Sequence, residues 1–331
     1  MIEMKNWVER VLTVVGPRGP YPHEYAATIL AFSWLRKHVT NYKELVKELI
    51  IDRHEDWLAN QAGDGFEQRG YFNLILHIWH QPFGYAGDGD LLTKLYRALD
   101  TPTFDNGGEP LNPWVFSRWD SFIASRPETL AIQSRKDYVS SMAQFCAEKG
   151  MTSWLDVACG LGEFTKQVCM EQGDRIQNIL GVDNDGMSID IAQRRNAAGL
   201  VSYTQMNVLK QLPIGEFEAI YCTGLFDYLT DAQFVKLGKR FLTLKPRCVM
   251  IGNIQQGEAT KALMDCLGWE LFDRTRFDLI SLGQQIVPGQ QVEVTTDRTG
   301  MQHFLRLHVS QEGNEPDESV PADEQRKDNV V

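Results

Sequence analysis

The chain has 331 residues, 43% of them hydrophobic, enough for two ordinary cores without disulfide or metal support. A net charge of −11 disfavours nucleic acid as a partner, because phosphate binding needs a basic face. The six cysteines form no Cys-x-x-Cys pair, no basic start leads into a long apolar run, and no apolar stretch nears the roughly 20 residues that span a bilayer, so a cytoplasmic protein without membrane contact is expected.

From the start to about Arg126 the pattern is mostly helical. Tyr25–Trp34 and Tyr42–Ile51 carry apolar residues three and four apart, as core-facing helices do. Pro82 and the glycines at 84, 87 and 89 interrupt that period and Leu91–Tyr96 resumes it, so a loop joins two helices. The loop, Gln81-Pro-Phe-Gly-Tyr-Ala-Gly-Asp88, presents Tyr85 and Asp88 as a donor–acceptor pair; alternatively Asp88 caps the next helix. His77 and His80 stand three apart on a helix without a third His or a matched acid, so packing or hydrogen bonding is expected and no metal. Phe72, Trp79, Phe83 and Tyr85 form an aromatic cluster expected to be core. Thr101–Pro113, rich in Gly, Pro, Asp and Asn, is a long connection; Trp114–Ala147 is helical again, with Gly150 placed to cap it.

The run Trp154-Leu-Asp-Val-Ala-Cys-Gly-Leu-Gly-Glu-Phe164 then reads as a buried strand ending in a glycine turn that opens a helix. Gly160 and Gly162 let the backbone approach a ligand, and the helix start offers free N–H groups. A dinucleotide fingerprint wants a third Gly or Ala where this chain has Thr165, which argues against nicotinamide. A second apolar run, Ile179-Leu-Gly-Val-Asp183, ends in a carboxylate roughly 20 residues after the glycines, where an acid grips ribose hydroxyls. Apolar runs near Trp154, Ile179, Ala219 and Val249 alternate with helical patterns at Glu163–Met170, Met187–Asn196, Asp231–Leu242 and Ala259–Leu267, which predicts an α/β fold with a parallel sheet. Trp269–Leu282 and Gln291–Val309 read as strand-like, and Gln311–Val331 is too acidic and too poor in apolar groups to order itself.

With Asp156 closing the first strand, Asp156-Val-Ala-Cys-Gly-Leu-Gly162 resembles the first motif of class I S-adenosylmethionine (SAM) methyltransferases. The resemblance continues through Met206-Asn207-Val208, where the family often has an Asp, and Ala219-Ile-Tyr-Cys-Thr223, its fourth strand. It implies a Rossmann-like sheet ending in an antiparallel hairpin, with SAM as cofactor. Asp156, Gly160 and Gly162 would serve the methionyl end, Asp183 the ribose, Asn207 and Val208 the adenine, with Cys222 on the fourth strand. Arg126 and Arg135 are candidates to hold the methionyl carboxylate or an acidic substrate; structural ion pairs explain them equally well.

Gly84-Tyr-Ala-Gly-Asp88 is similar to a motif of the bacterial methyltransferases that make 3-hydroxy fatty acid methyl esters, the extracellular-factor biosynthesis family. That likeness also covers Gly224–Leu229, Ile251–Asn253, Thr299-Gly300 and Phe304-Leu305; Lys245-Pro-Arg247 departs from its Pro-Gly-Gly turn, and Gln81 from its Arg. The expected organisation is a helical lid or substrate domain over residues 1–130, a SAM-binding domain over 131–310 and a disordered acidic tail over 311–331. The expected activity is methylation of a small acidic molecule at an acyl carboxylate, with Tyr85, Asp88 and Tyr228 as catalytic candidates. A carboxylate is ionised near neutral pH and needs no strong base, whereas a hydroxyl or amine would ask Asp88, Asp227 or a His to take a proton. Two alternatives keep the SAM site. One is a lyase or cyclase in which SAM's own chain attacks its sulfonium and methylthioadenosine leaves. The other is a SAM-binding module without turnover. The oligomeric state leaves no trace in the sequence.

Overall fold

A computed structural model describes residues 2–61, 74–82, 86–98, 118–195, 199–255 and 257–310. Phe72, Phe83, Tyr85, the Thr101–Pro113 connection and the 311–331 tail, all singled out above, lie outside the described residues. The front of the chain forms α1 (Ile2–Val15), α2 (Tyr25–His38), α3 (Tyr42–Val46) and α4 (Asp52–Gln61), with a π turn over Lys47–Ile51 joining the last two. Helices α5 (Leu74–His80) and α6 (Gly89–Ala98) flank the glycine-rich loop. The stretch read as helical up to Ala147 divides into α7 (Arg118–Ala124) and α8 (Pro127–Glu148). Pro127 causes the break: its ring pushes Arg126 into extended backbone (φ −71, ψ 144), and its missing N–H is harmless at a helix start. Past the end of α8, Gly150 takes φ 69 and donates to Ala147 O.

The remainder alternates β1 (Ser153–Val157), α9 (Glu163–Gln172), β2 (Asn178–Asp183), α10 (Gly186–Arg195), β3 (Val201–Gln205), β4 (Ala219–Cys222), α11 (Asp231–Phe241), β5 (Cys248–Ile254), α12 (Glu258–Cys266), α13 (Arg276–Ile286), β6 (Val292–Thr296) and β7 (Gln302–His308). The strands form one sheet in the order β3-β2-β1-β4-β5-β7-β6. β1 to β5 pair in parallel, and β7 runs antiparallel between β5 and β6. This is the Rossmann-like sheet that the resemblance implies, closed by the expected hairpin. The chain leaves β1 toward one edge and returns through β4 toward the other, which opens a crevice at the carboxyl ends of β1 and β4.

Both faces of the sheet are buried, and the period-two alternation sorts the side chains between two cores. Trp154, Tyr221, Met250 and Phe304 join a core that runs into the front helices through Leu12, Phe32 and Trp119. Leu155, Ile220 and Val249 face the other core, under Phe234 and Phe241 of α11 and Leu282 of α13. Truncating a residue such as the fully buried Trp154 to Ala costs about 3–5 kcal/mol. The front helices are also tied to the sheet half by polar contacts. Arg36 pairs with Asp265 at 2.7 Å, Lys43 with Glu270 at 2.9 Å, and Gln81 Nε2 donates to Gly268 O at 3.0 Å.

Two sequence expectations fail. Trp269–Leu282 is not strand-like: Thr275 and Asp278 form a reciprocal capping box, and Leu279, Leu282 and Ile286 recur with helical period in α13. β3 escapes the apolar-run pattern because Tyr203 alone of its five residues is buried, as suits an edge strand. Among the described residues no helix is long and apolar enough to cross a membrane.

Candidate active site

The loop after β1 owes its shape to three left-handed residues, Ala158 (φ 57), Gly160 (φ 52) and Gly162 (φ 74). Cys159 N donates to Val182 O and Gly162 N to Cys159 O, so the turn is pinned to β2 before α9 begins. Gly162 is also needed for packing, since a Cβ there would stand 2.5 Å from the Tyr203 hydroxyl. Under the loop Asp156 is 2% exposed and accepts from Thr165 Oγ1 at 2.5 Å; burial pushes its carboxyl up to about 7. Thr165, the residue that departs from the dinucleotide fingerprint, thus ties α9 to β1.

Asp183 ends β2 at the cavity. Gly160 N donates to its Oδ2 at 2.8 Å and Asp185 N to its Oδ1 at 2.9 Å, while burial raises its pKa against those bonds. A carboxylate has about four acceptor sites, so these backbone bonds leave capacity for a ligand's hydroxyl. Beyond β3, Asn207 Oδ1 accepts from Leu209 N at 3.0 Å, an Asx turn that holds Met206, Asn207 and Val208 along the same cavity. The donor set suits a nucleoside: a buried acceptor carboxylate, apolar Val182, Met206 and Val208 for a base, and a glycine turn for a polar tail.

The cavity, of about 270 Å³, continues past this end to Ile132, Ile254, Tyr228, Trp269 and Leu271. Its wall there carries a buried ion pair, in which Arg135 Nη2 lies 3.1 Å from Asp227 Oδ2 and Arg135 Nε donates to Gln302 Oε1 at 2.8 Å. Asp227 Oδ1 accepts from Ile254 N at 2.7 Å, and burial pushes its carboxyl up to about 6 although Arg135 opposes the shift. Arg135 lines the cavity beside Gly224, where an added Cβ would come within 3.1 Å of Arg135 Nη1. Trp269 Nε1 donates to the Tyr228 hydroxyl at 2.9 Å, and burial raises that hydroxyl's pKa well above its usual value.

Of the residues named from sequence, Gly160, Asp183, Asn207, Val208, Arg135 and Tyr228 line this one cavity. Asp156, Gly162 and Cys222 sit behind the lining; Cys222 is fully buried in β4, with its thiol pushed up to about 12 by burial. Arg126 is not on the lining: its guanidinium lies over the Tyr25 and Phe122 rings and donates to Phe122 O. Asp88 is 1% exposed and engaged by His77 and Leu91, while its neighbours Gly87 and Gly89 form cavity wall. His80 pairs with Glu55. Sequence reasoning missed Gly87, Gly89, Leu92, Gly224, Ile254 and Trp269 as lining, because only the tertiary fold brings them to the strand ends.

Over residues 155–246 the chain matches the family model described as a methyltransferase domain. No curated protein sequence matches it. Among solved structures it is similar to magnesium protoporphyrin IX methyltransferase from Synechocystis PCC 6803 with bound S-adenosylhomocysteine (SAH), at 12% identity over 66% of this chain and 94% of that one, TM-score 0.45. It is similar also to the methyltransferase domain of bacterial CtHen1 (12% identity, 53% of this chain, 99% of that one, TM-score 0.44). A third is the N-methyltransferase NodS from Bradyrhizobium japonicum WM9 (11%, 52%, 95% and 0.39 in the same order). Likeness this remote leaves each neighbour's substrate its own. The chain carries a methyltransferase domain over residues 155–246, and its cofactor is S-adenosylmethionine.

Proposed function

We propose that the protein transfers the methyl group of SAM to a carboxylate oxygen of a small acyl acid with an apolar body, as the extracellular-factor family resemblance also suggests. The observation that carries this reading is the set of titratable groups on the described lining. It holds one cation, Arg135, and no unengaged base: Asp227 is ion-paired, Asp183 accepts from two backbone N–H groups, and burial keeps the Tyr228 hydroxyl protonated. An acceptor that is already ionised needs no base, and a carboxylate meets that condition near neutral pH.

In this reading Asp183 takes the ribose hydroxyls, Asn207 and Val208 border the adenine, and the Ala158–Gly162 turn receives the methionyl end. SAM, when bound, supplies an electrophilic methyl carbon on a sulfonium. Arg135 Nη1 orients the acceptor carboxylate, and Ile132, Ile254 and Leu271 exclude water around its apolar body. Most of the rate gain then comes from holding oxygen, methyl carbon and sulfur in line. The cavity's extension to Trp269 and Leu271 favours a second substrate over attack by SAM's own chain. Incubating the protein with SAM and a panel of acyl acids, amines and phenols tests this. SAH should form above the substrate-free rate with acids alone, and formation only with amines or phenols would contradict the carboxylate reading.

A further inference from the structure

Asp88 sits between two glycines that touch different ends of the cavity. A Cβ on Gly87 would stand 2.3 Å from the Tyr228 hydroxyl and 3.0 Å from Trp269 Cζ2, so Gly87 is pressed on the acceptor end. A Cβ on Gly89 would stand 3.1 Å from Gly160 Cα and 3.2 Å from Leu161 N, so Gly89 is pressed on the cofactor turn. Asp88 itself does not reach the lining. Its Oδ1 caps α6 by accepting from Leu91 N at 2.9 Å, and its Oδ2 lies 2.5 Å from His77 Nε2 on α5. The carboxylate therefore links the end of one helix to the start of the next. α6 in turn carries Leu92 to the cavity wall.

We propose that Asp88 is a positioning residue, whose bonds to His77 and Leu91 set Gly87 against the Tyr228–Trp269 pair and Gly89 against the Gly160 turn, so that one stretch of the front helices completes both ends of the cavity. The proposal rests on the reading of this cavity as the SAM site. Neither glycine has a side chain to give way, so displacing the stretch by a few tenths of an ångström either drives Gly87 into the Tyr228 and Trp269 side chains and Gly89 into the Gly160 backbone or opens the cavity to water. A carboxylate at this position is held by the helix start that it caps and by the imidazole, and an alanine there leaves the Leu91 N–H without its acceptor. An asparagine keeps an oxygen for Leu91 and a polar group for His77.

The test is calorimetric SAH binding by the full chain, with thermal unfolding recorded beside it. Asp88→Ala should weaken SAH by about tenfold or more, and Asp88→Asn should restore affinity to within about threefold of wild type, a rescue that links the loss to the bonds at this position. Gly89→Val leaves both Asp88 bonds in place yet drives a side chain into the Gly160 turn, so it too should weaken SAH by about tenfold or more, and it serves if Asp88→Ala does not fold. Wild-type affinity in either Asp88→Ala or Gly89→Val overturns the proposal. A wild-type chain that binds no SAH overturns the cofactor reading first and this proposal with it.

Discussion

The two ends of the cavity are built in opposite ways. Apart from Gly89, which packs on the Gly160 turn, the cofactor end comes from one continuous stretch, Asp156 to Leu209: left-handed backbone, N–H groups and a single carboxylate held by two of them, beside apolar Val182, Met206 and Val208. The acceptor end is gathered from five distant segments around Gly87, Arg135, Asp227, Ile254 and Trp269, and a buried ion pair holds it. The family model matches residues 155–246, which takes in the cofactor stretch and Asp227 but leaves Gly87, Arg135, Ile254 and Trp269 outside. A backbone-built end loses binding when its one carboxylate is changed but keeps its fold, whereas an end built on paired charges fails as a unit.

That contrast can be broken most severely at Arg135. Arg135→Gln strands Asp227 in the interior, and breaking a buried pair costs about 3–5 kcal/mol; urea unfolding should show it, with part regained in Arg135→Gln combined with Asp227→Asn. A loss under about 1 kcal/mol would mean that the pair does not hold the acceptor end. At the cofactor end Asp183→Ala should weaken SAH by about 1–3 kcal/mol, roughly 5- to 150-fold, with little change in unfolding. Equal affinity in calorimetry removes Asp183 from the ribose.

A third effect, under the cofactor turn, depends on pH. Asp156 is raised from 3.8 to about 7 in the folded chain, so the stability linked to its proton is fully present below 3.8 and is lost as pH rises through about 7. Asp156→Asn should therefore gain melting temperature over wild type between pH 5 and pH 8. A difference that stays flat over that range would place the Asp156 proton elsewhere. The least effect belongs to neither end: Lys43 and Glu270, both well exposed, should contribute at most about 1 kcal/mol, read from the unfolding of Lys43→Ala.

The cofactor end was legible in the sequence because its chemistry is local. An apolar run, a glycine turn and an acid roughly 20 residues later are set by strand and helix periods alone. The β3 strand was not, since an edge strand with one buried residue looks polar, and α13 was not, since its apolar residues also suit a strand until the Thr275 capping box is noticed. Arg126 and Arg135 were named together. Nine positions apart on a helical pattern they fall roughly 180° apart, so they could not share one carboxylate, and Pro127 moves Arg126 to the cap. The acceptor end was legible only in pieces: Arg135, Asp227, Tyr228 and the loop holding Gly87 were named, but their meeting with Ile254 and Trp269 was not, because they come together only after the front helices dock on the sheet.

Mass spectrometry of the nucleoside released from SAM, with a hydroxy fatty acid as acceptor and without it, reaches furthest into this reading. SAH together with a methyl ester, formed only when the acid is present, is the predicted result. Methylthioadenosine released from SAM alone would contradict it, because the acceptor end would then have no second substrate to hold.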